Sequence, residues 1–231
     1  MSEPFARSPA PAGQRLLLLR HGEVASHRGD LPVTAAGLAT ATEAGRQLGT
    51  SSTGRVLVLS AHTLRARQTA QAIADGARGA GAVVDGPAEC FALRNPDLYL
   101  AGVRVDLVST AAAFAEQVPG RSEAAVAASE FFGGFLAAAD RIGWWLRHPD
   151  PPGDDARCVQ QRITAFARSL ADLGADAPAV TVAVTHSPVI RACALPVLGD
   201  PGEPAWVAGL QLHVTPDRAV RVSWLRAPAT V

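Results

Sequence analysis

The sequence predicts an α/β fold, a three-layer α/β/α sandwich with a mostly parallel central sheet. Three short apolar segments, residues 15–20, 55–60 and 180–185, are each typical of a strand that is buried on both faces. They alternate with segments of helical periodicity, which is the pattern of parallel strands joined by helical crossovers. Each apolar segment ends abruptly in polar residues. Because ligands bind beyond the carboxyl ends of parallel strands, we expect these polar residues to meet in one site.

The chain length favours one large domain. It has 231 residues, of which 48% are hydrophobic, enough to bury a sizeable core. We predict a flexible N-terminal tail over residues 1–14, which is rich in Pro and Ala, and a single domain over residues 15–231. The less regular stretch at about 89–153 is predicted to be a helical insertion in that domain.

Composition and charge argue against several classes of partner. The 21 basic residues, all of them Arg, balance 21 acidic residues and form no stripe or tail, so nucleic acid is not an expected partner. No apolar segment is long enough for a membrane span or a signal-peptide core, so we expect no membrane association and a cytoplasmic location. Cys90, Cys158 and Cys193 lie far apart without CxxC spacing, which favours neither a disulfide framework nor a zinc site.

The first half of the chain carries clear signals for regular structure. Thr34 can cap a helix that continues to about Leu48, with its apolar residues near one face. The strand at 55–60 is followed by a helix over 64–77, which glycines end. Residues 82–85 are predicted to form a further short strand.

The middle of the chain is predicted to be mainly helical. Helices are expected over residues 106–117, 122–146 and 156–173, and one more follows the strand at 180–185. The helix over 122–146 carries five large aromatic residues. We expect this aromatic stretch to pack on the core, with a pocket or a subunit interface as alternatives.

The C-terminal part is predicted to end in β structure. Residues 210–214 and 220–225 flank Thr215-Pro-Asp and indicate a hairpin or two edge strands. His148 and His213 belong to no motif, and we predict that both lie on the surface.

The polar residues after the three strands supply imidazole and guanidinium groups. His21 follows Arg20 at the end of the first strand, Arg65 and Arg67 follow the second strand, and His186 follows the third. An imidazole can attack phosphorus, while guanidinium groups hold the phosphoryl oxygens whose charge must be stabilised in the transition state. The histidines lack metal-ligand spacing, so neither a metal nor a cofactor is expected.

Four ordered segments of the chain resemble the histidine phosphatase superfamily, the phosphoglycerate mutase-like family. Arg-His-Gly-Glu at 20–23 resembles the first motif of that family, and 60–70 resembles its S-x-x-x-x-R-A-x-Q-T-A stretch. Thr-His at 185–186 matches the end of a late strand, and 31–37 resembles the family's L-T-x-x-G segment. The resemblance is collinear over about residues 15–200.

The resemblance implies a phosphohistidine mechanism on a small phosphorylated substrate. His21 would attack the phosphomonoester and become phosphorylated on a ring nitrogen, and water would then hydrolyse the phosphohistidine. Arg20, Arg65 and His186 would complete the phosphate pocket, with His186 donating a hydrogen bond, ideally as a cation. His27 stands where the family often has Asn, and it is a further candidate phosphate contact.

Two carboxyl groups remain candidates for the general acid that protonates the leaving group. The spacing from Arg65 favours Glu89. The segment Leu93-Arg94-Asn95 resembles the family's L-R-E, which puts Asn95 in the acid's place and makes Asp97 the alternative. Either carboxyl would need a raised pKa to be protonated near neutral pH.

The preferred function is a metal-independent phosphatase of the histidine acid phosphatase type. The middle of the chain lacks the basic segment with which the mutases of this family hold a carboxylate, and this favours hydrolysis. Two alternatives remain: a phosphoglycerate mutase-like phosphotransferase, and a non-catalytic phosphate-binding module of the same fold. Val24 and His27, which depart from the family pattern, keep the second alternative open. The sequence leaves open whether the chain forms a homodimer.

Overall fold

The computed structural model describes residues 13–27 and 29–225. The predicted tail over 1–14 lies outside the described residues except for Gly13 and Gln14. The strands are β1 (Gln14–Arg20), β2 (Val56–Ser60), β3 (Val84–Glu89), β4 (Leu98–Leu100), β5 (Val103–Val105), β6 (Val180–Thr185), β7 (Gly209–Val214) and β8 (Val220–Trp224). The α-helices are α1 (Ala35–Ser51), α2 (Leu64–Gly79), α3 (Ala111–Ala115), α4 (Glu123–Ala127), α5 (Glu130–Ala137), α6 (Arg141–Arg147), α7 (Ala156–Ser169) and α8 (Ser187–Leu198).

The central sheet runs in the order β3-β2-β6-β1-β7-β8 within the described part of the chain. Strands β3, β2, β6 and β1 are parallel, while β7 and β8 are antiparallel to their neighbours, so β3 and β8 form the two edges. Leu16 to Leu19 of β1 are at most 2% exposed although successive side chains point to opposite faces, so both faces of this strand are covered. The predicted sandwich with a mostly parallel sheet is confirmed.

Strand register brings the ends of the central strands together. Arg20 at the end of β1 is aligned with Thr185 at the end of β6. The backbone N–H of His21 donates to the Thr185 carbonyl over 3.0 Å, and the N–H of Ala61 donates to the Val184 carbonyl over 2.9 Å. The polar residues that follow β1, β2 and β6 therefore meet at one end of the sheet, as the sequence predicted.

Helix α2 is held closely against α1 and the sheet. A Cβ on Gly45 of α1 would clash with the Ile73 carbonyl of α2, and a Cβ on Gly76 would clash with the Thr42 carbonyl. Near the end of α2, Arg78 donates hydrogen bonds to carbonyl oxygens of Val84 and Gly86 in the edge strand β3. This packing fixes the start of α2 beside the ends of β1 and β6.

The predicted long helix over 122–146 is wrong: the segment forms three short helices, α4, α5 and α6. Ser122 and Asp140 cap the first and last of them by accepting from backbone N–H groups. The aromatic side chains lie on more than one face of the segment, and Phe132, Phe135 and Trp145 are each at most 2% exposed. A single straight helix buries one stripe only, whereas a bent segment turns all of these side chains into the core.

The predicted helix over 106–117 is also too long. Only α3 is helical, and Thr110 caps it by accepting from the Ala113 N–H. The side-chain carbonyl of Gln117 accepts from the backbone N–H of Asp106, which turns the chain before α3. Sequence periodicity gave no sign of the small β4–β5 hairpin that precedes this turn.

The C-terminal elements follow the predictions more closely. Helix α7 ends before the predicted limit of 156–173 and continues as a 3₁₀ segment over Leu170–Asp176. Strands β7 and β8 pair antiparallel, which confirms the predicted hairpin. His213 is only 8% exposed, so its predicted surface position is wrong, because β7 is paired on both sides. No helix among residues 13–27 and 29–225 is long and apolar enough to cross a membrane.

Candidate active site

Two histidines and two arginines converge at the carboxyl end of the sheet. Arg20 and His21 end β1, His186 precedes α8, and Arg65 lies in the first turn of α2. The rings of His21 and His186 are 5.4 Å apart between centroids. All four residues are at most 7% exposed, and all line one cavity of about 190 Å³. The structure thus brings together the four residues that the motifs singled out.

The tautomer of His21 is set by its own backbone. The Nδ1 atom lies 2.8 Å from the carbonyl oxygen of Gly22, which can only accept, so Nδ1 carries the proton. Nε2 therefore keeps its lone pair. The N–H of Gly22 donates to Thr69 Oγ1 over 2.8 Å, and Thr69 donates to the Arg65 carbonyl over 2.7 Å. A Cβ on Gly22 would lie 2.9 Å from Val33 Cγ1, so this turn leaves no room for a side chain.

Burial keeps the histidines neutral. Burial above all, and then the charges of Arg65 and Arg20, lower the pKa of His21 to about 3 against the hydrogen bond to Gly22. The pKa of His186 is also well below its ordinary value, first because of burial and then because of Arg65. His186 is therefore neutral in the described site, contrary to the expected cation. A neutral His21 is the form that can act as a nucleophile.

Several buried polar atoms around the cavity have no hydrogen-bond partner within the described structure. They are Arg20 Nε, Arg65 Nε, His186 Nδ1 and Asn95 Oδ1. An unpaired buried donor costs about 1–3 kcal/mol, so such atoms are rare unless they await a ligand. Guanidinium and imidazole nitrogens together suit an anion with several oxygens, such as a phosphoryl group.

The segment 199–208 between α8 and β7 holds Arg20 in place. The guanidinium carbon of Arg20 lies 3.5 Å from the centre of the Trp206 ring, and Nη2 is 2.7 Å from the Glu203 carboxylate. Nη1 donates to the carbonyl of Pro204. Burial lowers the pKa of Arg20 to about 10 although Glu203 opposes that shift, so the side chain stays cationic. Nε of Arg20 has no hydrogen-bond partner among the described residues and can donate to a ligand.

The comparisons with known proteins agree with this geometry. Residues 16–86 match the sequence model of the histidine phosphatase superfamily (branch 1). The resemblance to this superfamily is confirmed. No curated protein sequence matches the chain.

Solved structures of the histidine phosphatase fold match nearly the whole chain. One is a mycobacterial glucosyl-3-phosphoglycerate phosphatase, with a TM-score of 0.59 and 20% identity over 93% of this chain and 100% of that chain. Another is a putative alpha-ribazole-5'-P phosphatase from Escherichia coli, with a TM-score of 0.56 and 16% identity over 93% and 97%. At these identities the likeness establishes the shared fold.

Neither predicted general acid reaches the cavity of this histidine phosphatase fold. Glu89 ends β3, is half exposed, and pairs with Arg67 over 2.9 Å. Asp97 accepts from Arg94 over 2.7 Å and from Arg104 over 2.6 Å. Burial acts to raise the pKa of Asp97, but these two hydrogen bonds hold it below its ordinary value. In this structure both Glu89 and Asp97 lie outside the lining of the cavity, and each is held by arginines.

Asn95 occupies the place that the motif resemblance gives to the acid. Its side chain lines the phosphate cavity and is 6% exposed. Arg67, which competes with Arg65 in the sequence, points away to Glu89. Arg65 itself is paired with Asp30 over 3.2 Å. Spacing along the chain could not show which way the side chains of Arg65 and Arg67 point. Their directions depend on where α2 meets β3 and on the loop before α1.

His27 stands beside His21. Its ring centroid is 5.9 Å from that of His21, and its ring stacks on Trp206 at 5.9 Å with an interplanar angle of 16°. It lines the same cavity, which keeps it a candidate phosphate contact. Among residues 13–27 and 29–225, no group of three or more His, Cys, Asp or Glu side chains is placed to hold a metal ion.

The remaining wall of the cavity is largely apolar. Part of the aromatic stretch contributes to it, since Phe135 and Ile142 line the cavity while Trp145 lies in the core. Arg141 also lines it and makes no hydrogen bond or ion pair with the described residues. A second cavity of about 320 Å³ shares Arg65 and Asn95 with the first.

A buried arginine ties the cavity walls together, and sequence motifs gave no sign of it. Arg191 of α8 is 0% exposed and bonds Asp140, the cap of α6, over 2.6 and 2.8 Å. It bonds Asp200 of the segment 199–208 over 2.7 and 2.8 Å. Burial opposes the charge of Arg191, yet the two carboxylates raise its pKa above the ordinary value. Trp206, Glu203 and Arg191 belong to no recognisable pattern and were missed.

Proposed function

We propose that the protein is a metal-independent phosphomonoesterase of the histidine acid phosphatase type, with His21 as its nucleophile. The observation that carries this proposal is the set of buried, unpartnered polar atoms of Arg20, Arg65 and His186 around the neutral His21. Such a set is costly in an empty site and is satisfied by a phosphoryl group. The superfamily match over residues 16–86 supports the same chemistry.

In the first step, the lone pair of His21 Nε2 attacks phosphorus. Arg20 Nε, Arg65 Nε and His186 Nδ1 donate to the equatorial oxygens when Nδ1 of His186 carries its proton, and they stabilise the charge of the transition state. The Gly22 carbonyl accepts from His21 Nδ1 and stabilises the positive charge that the ring gains as the N–P bond forms. The P–O bond to the organic group breaks, the leaving oxygen departs with its electron pair, and a phosphohistidine remains.

In the second step, water attacks the phosphohistidine and inorganic phosphate leaves. His21 departs from phosphorus as a neutral imidazole, because Nδ1 keeps its proton throughout. Transfer to a second substrate hydroxyl instead of water would make the protein a mutase. The lining of the phosphate cavity holds one further arginine, Arg141, and we expect it to contact a polar or anionic part of a small substrate.

The test is hydrolysis of p-nitrophenyl phosphate in the presence of a chelator. We expect turnover by the wild type and a loss of more than about 10⁴-fold in kcat in His21→Ala, because the nucleophile is removed. Arg65→Ala should lose about 10²–10³-fold. Arg67→Ala is its matched control and should stay close to the wild type, since Arg67 pairs with Glu89 outside the cavity.

Trapping the intermediate completes the test. Rapid acid-free quenching with ³²P-labelled substrate should show label on the wild type and none on His21→Ala. Retained turnover in His21→Ala would sink the proposal. Phosphate binding by a folded wild type without any turnover would instead make the chain a phosphate-binding module.

A further inference from the structure

The fate of the leaving oxygen sets which phosphate esters a site can cleave. When the P–O bond breaks, the oxygen takes both electrons and becomes an anion unless a nearby acid supplies a proton. A positioned acid contributes about 10²–10⁴-fold to such a step. A simple alcohol, whose alkoxide is strongly basic, depends on that acid far more than a phenol, an enol or a carboxylic acid does.

The phosphate cavity holds no carboxyl, phenol or thiol among its described lining residues. Its polar lining is Arg20, His21, His27, Arg65, Asn95, Ser109, Arg141, His186 and Ser187. The amide of Asn95 is buried, and its Oδ1 has no hydrogen-bond partner among the described residues. Asn95 therefore presents an amide that can form hydrogen bonds in the cavity. An amide cannot give up a proton to an alkoxide.

Three carboxylates around the cavity are paired with arginines, while the exposed Glu116 lines only the second cavity and has no such pair among the described residues. Glu203 pairs with Arg20 over 2.7 Å, and Asp30 pairs with Arg65 over 3.2 Å. Asp106, which lines the second cavity, pairs with Arg104 over 3.3 Å. In each pair a carboxylate oxygen is held by the guanidinium, and none of these three carboxylates lines the phosphate cavity.

We propose that the substrates of this site are phosphate compounds whose leaving group departs as a stabilised anion, namely aryl, enol or acyl phosphates. The proposal rests on the proposed function. His21 Nε2 forms the N–P bond, the P–O bond breaks, and the electron pair goes to a phenolate, enolate or carboxylate oxygen. That oxygen takes any proton it needs from water after it leaves. The apolar wall formed by Phe135, Ile142 and Pro188 suits an unsaturated organic group.

The test is the dependence of kcat/KM on the basicity of the leaving group. The series runs from p-nitrophenyl phosphate through phenyl phosphate to propyl phosphate. For the wild type we expect kcat/KM to fall about 10²-fold or more between the first two, with propyl phosphate left essentially uncleaved. A shallow dependence overturns the proposal. No turnover of even p-nitrophenyl phosphate, or turnover that survives in His21→Ala, would instead reject the proposed function.

Substitution of Asn95 gives a gain-of-function test. Asn95→Asp keeps the size of the side chain and adds a carboxyl group that can be protonated. We expect it to raise the ratio of phenyl to p-nitrophenyl phosphate turnover by about 10²-fold at mildly acid pH. Asn95→Leu is the matched control, because leucine is of similar size and has no acidic proton. This substitution should leave the ratio low.

Hidden acids are tested in the same series. If the wild-type dependence is shallow and becomes steep in Glu203→Gln, Asp106→Asn or His186→Asn, the substituted residue is the acid and the proposal is wrong. If the dependence is steep in the wild type and unchanged in these three variants, the proposal stands. Should Asn95→Asp fail to fold, the wild-type slope decides by itself.

Discussion

A backbone carbonyl, and not a carboxylate, selects the tautomer of His21. The Gly22 oxygen accepts from Nδ1, and Gly22 is fixed by Thr69 through its own N–H. No side-chain substitution can remove this acceptor. Because Thr69 also donates to the Arg65 carbonyl, one hydroxyl links the nucleophile to the second arginine. The orientations of His21 and Arg65, the proposed nucleophile and phosphate ligand, are thus coupled through a single side chain.

The pH dependence of catalysis follows from the lowered pKa of His21, about 3. Protonation of Nε2 would block attack, and it sets in only near that value. We therefore expect no decrease in kcat/KM for p-nitrophenyl phosphate with a midpoint near pH 6.5, the pKa of an ordinary histidine. The profile is first corrected for ionisation of the substrate. A profile measured from pH 4 to pH 8 checks this. An acid-side loss centred near 6.5 on a substrate with one ionisation state would contradict it.

Folding stability should depend on the same group. Between pH 6.5 and about 3, the unfolded chain binds a proton at His21 that the folded chain does not. The free energy of unfolding therefore falls as the pH drops through this window. The stability that the neutral His21 contributes at higher pH is lost by the time the pH reaches about 3. Between pH 7 and pH 4.5, the free energy of unfolding measured by denaturation should decrease less in His21→Gln than in the wild type. Equal losses would mean that the folded protein takes up this proton as readily as the unfolded chain.

At the scale of elements, Arg191 joins α8 to α6 and to the segment 199–208. Two of these elements carry Pro188 and Ile142 in the lining of the cavity, and the third carries Trp206 against Arg20 and His27, so ionic hydrogen bonds of Arg191 join the parts that surround the site. The site is therefore assembled from elements far apart in the chain. This explains why motif spacing found the residues at the strand ends and not those on the opposite wall.

Arg191→Met should cost stability and weaken substrate binding. It removes a fully buried cation from Asp140 and Asp200, and we expect a loss of about 2–4 kcal/mol in the free energy of unfolding, since the carboxylates are partly exposed. KM should rise because α6 and 199–208 lose their common anchor. Urea denaturation and steady-state kinetics measure both effects.

Arg147→Met is the matched control. Arg147 is 66% exposed and lies 3.7 Å from Asp200, so we expect a change within about 0.5 kcal/mol. Equal effects of the two substitutions would show that Arg191 has no special structural role.

The limits of sequence-based prediction are visible in particular segments. The strand at 15–20 was predictable because four consecutive leucines, bounded by polar residues, form a run typical of a strand that is buried on both faces. The motif with His21 marked the end of that strand. The helix over 122–146 was mispredicted because its seven Ala residues favour a helix, while the breaks arise from capping by Asp140 and from burial. Spacing along the chain could not show that Glu89 lies outside the cavity, because its ion pair with Arg67 sets the direction of its side chain.

At the scale of the whole molecule, the contact between α1 and α2 is set by glycines. Gly45→Ala should destabilise the protein by about 1–3 kcal/mol, because the added methyl meets the Ile73 carbonyl in a close-packed contact. Thermal or urea denaturation measures the change. Gly79→Ala is the control: it lies at the end of α2 with open space around it, so we expect no loss and a gain of up to about 1 kcal/mol. Similar losses at both positions would contradict the packing argument.

The hydrogen bonds from Arg78 to β3 bear on how molecules of this protein meet one another. An edge strand with free carbonyl and N–H groups can recruit a strand from a neighbouring molecule. In β3 the carbonyls of Val84 and Gly86 are occupied by the Arg78 guanidinium, and Pro87 has no N–H to offer. This side of the sheet is thus protected against strand-by-strand aggregation, so contacts between two molecules at β3 would have to involve side chains and not an extension of the sheet.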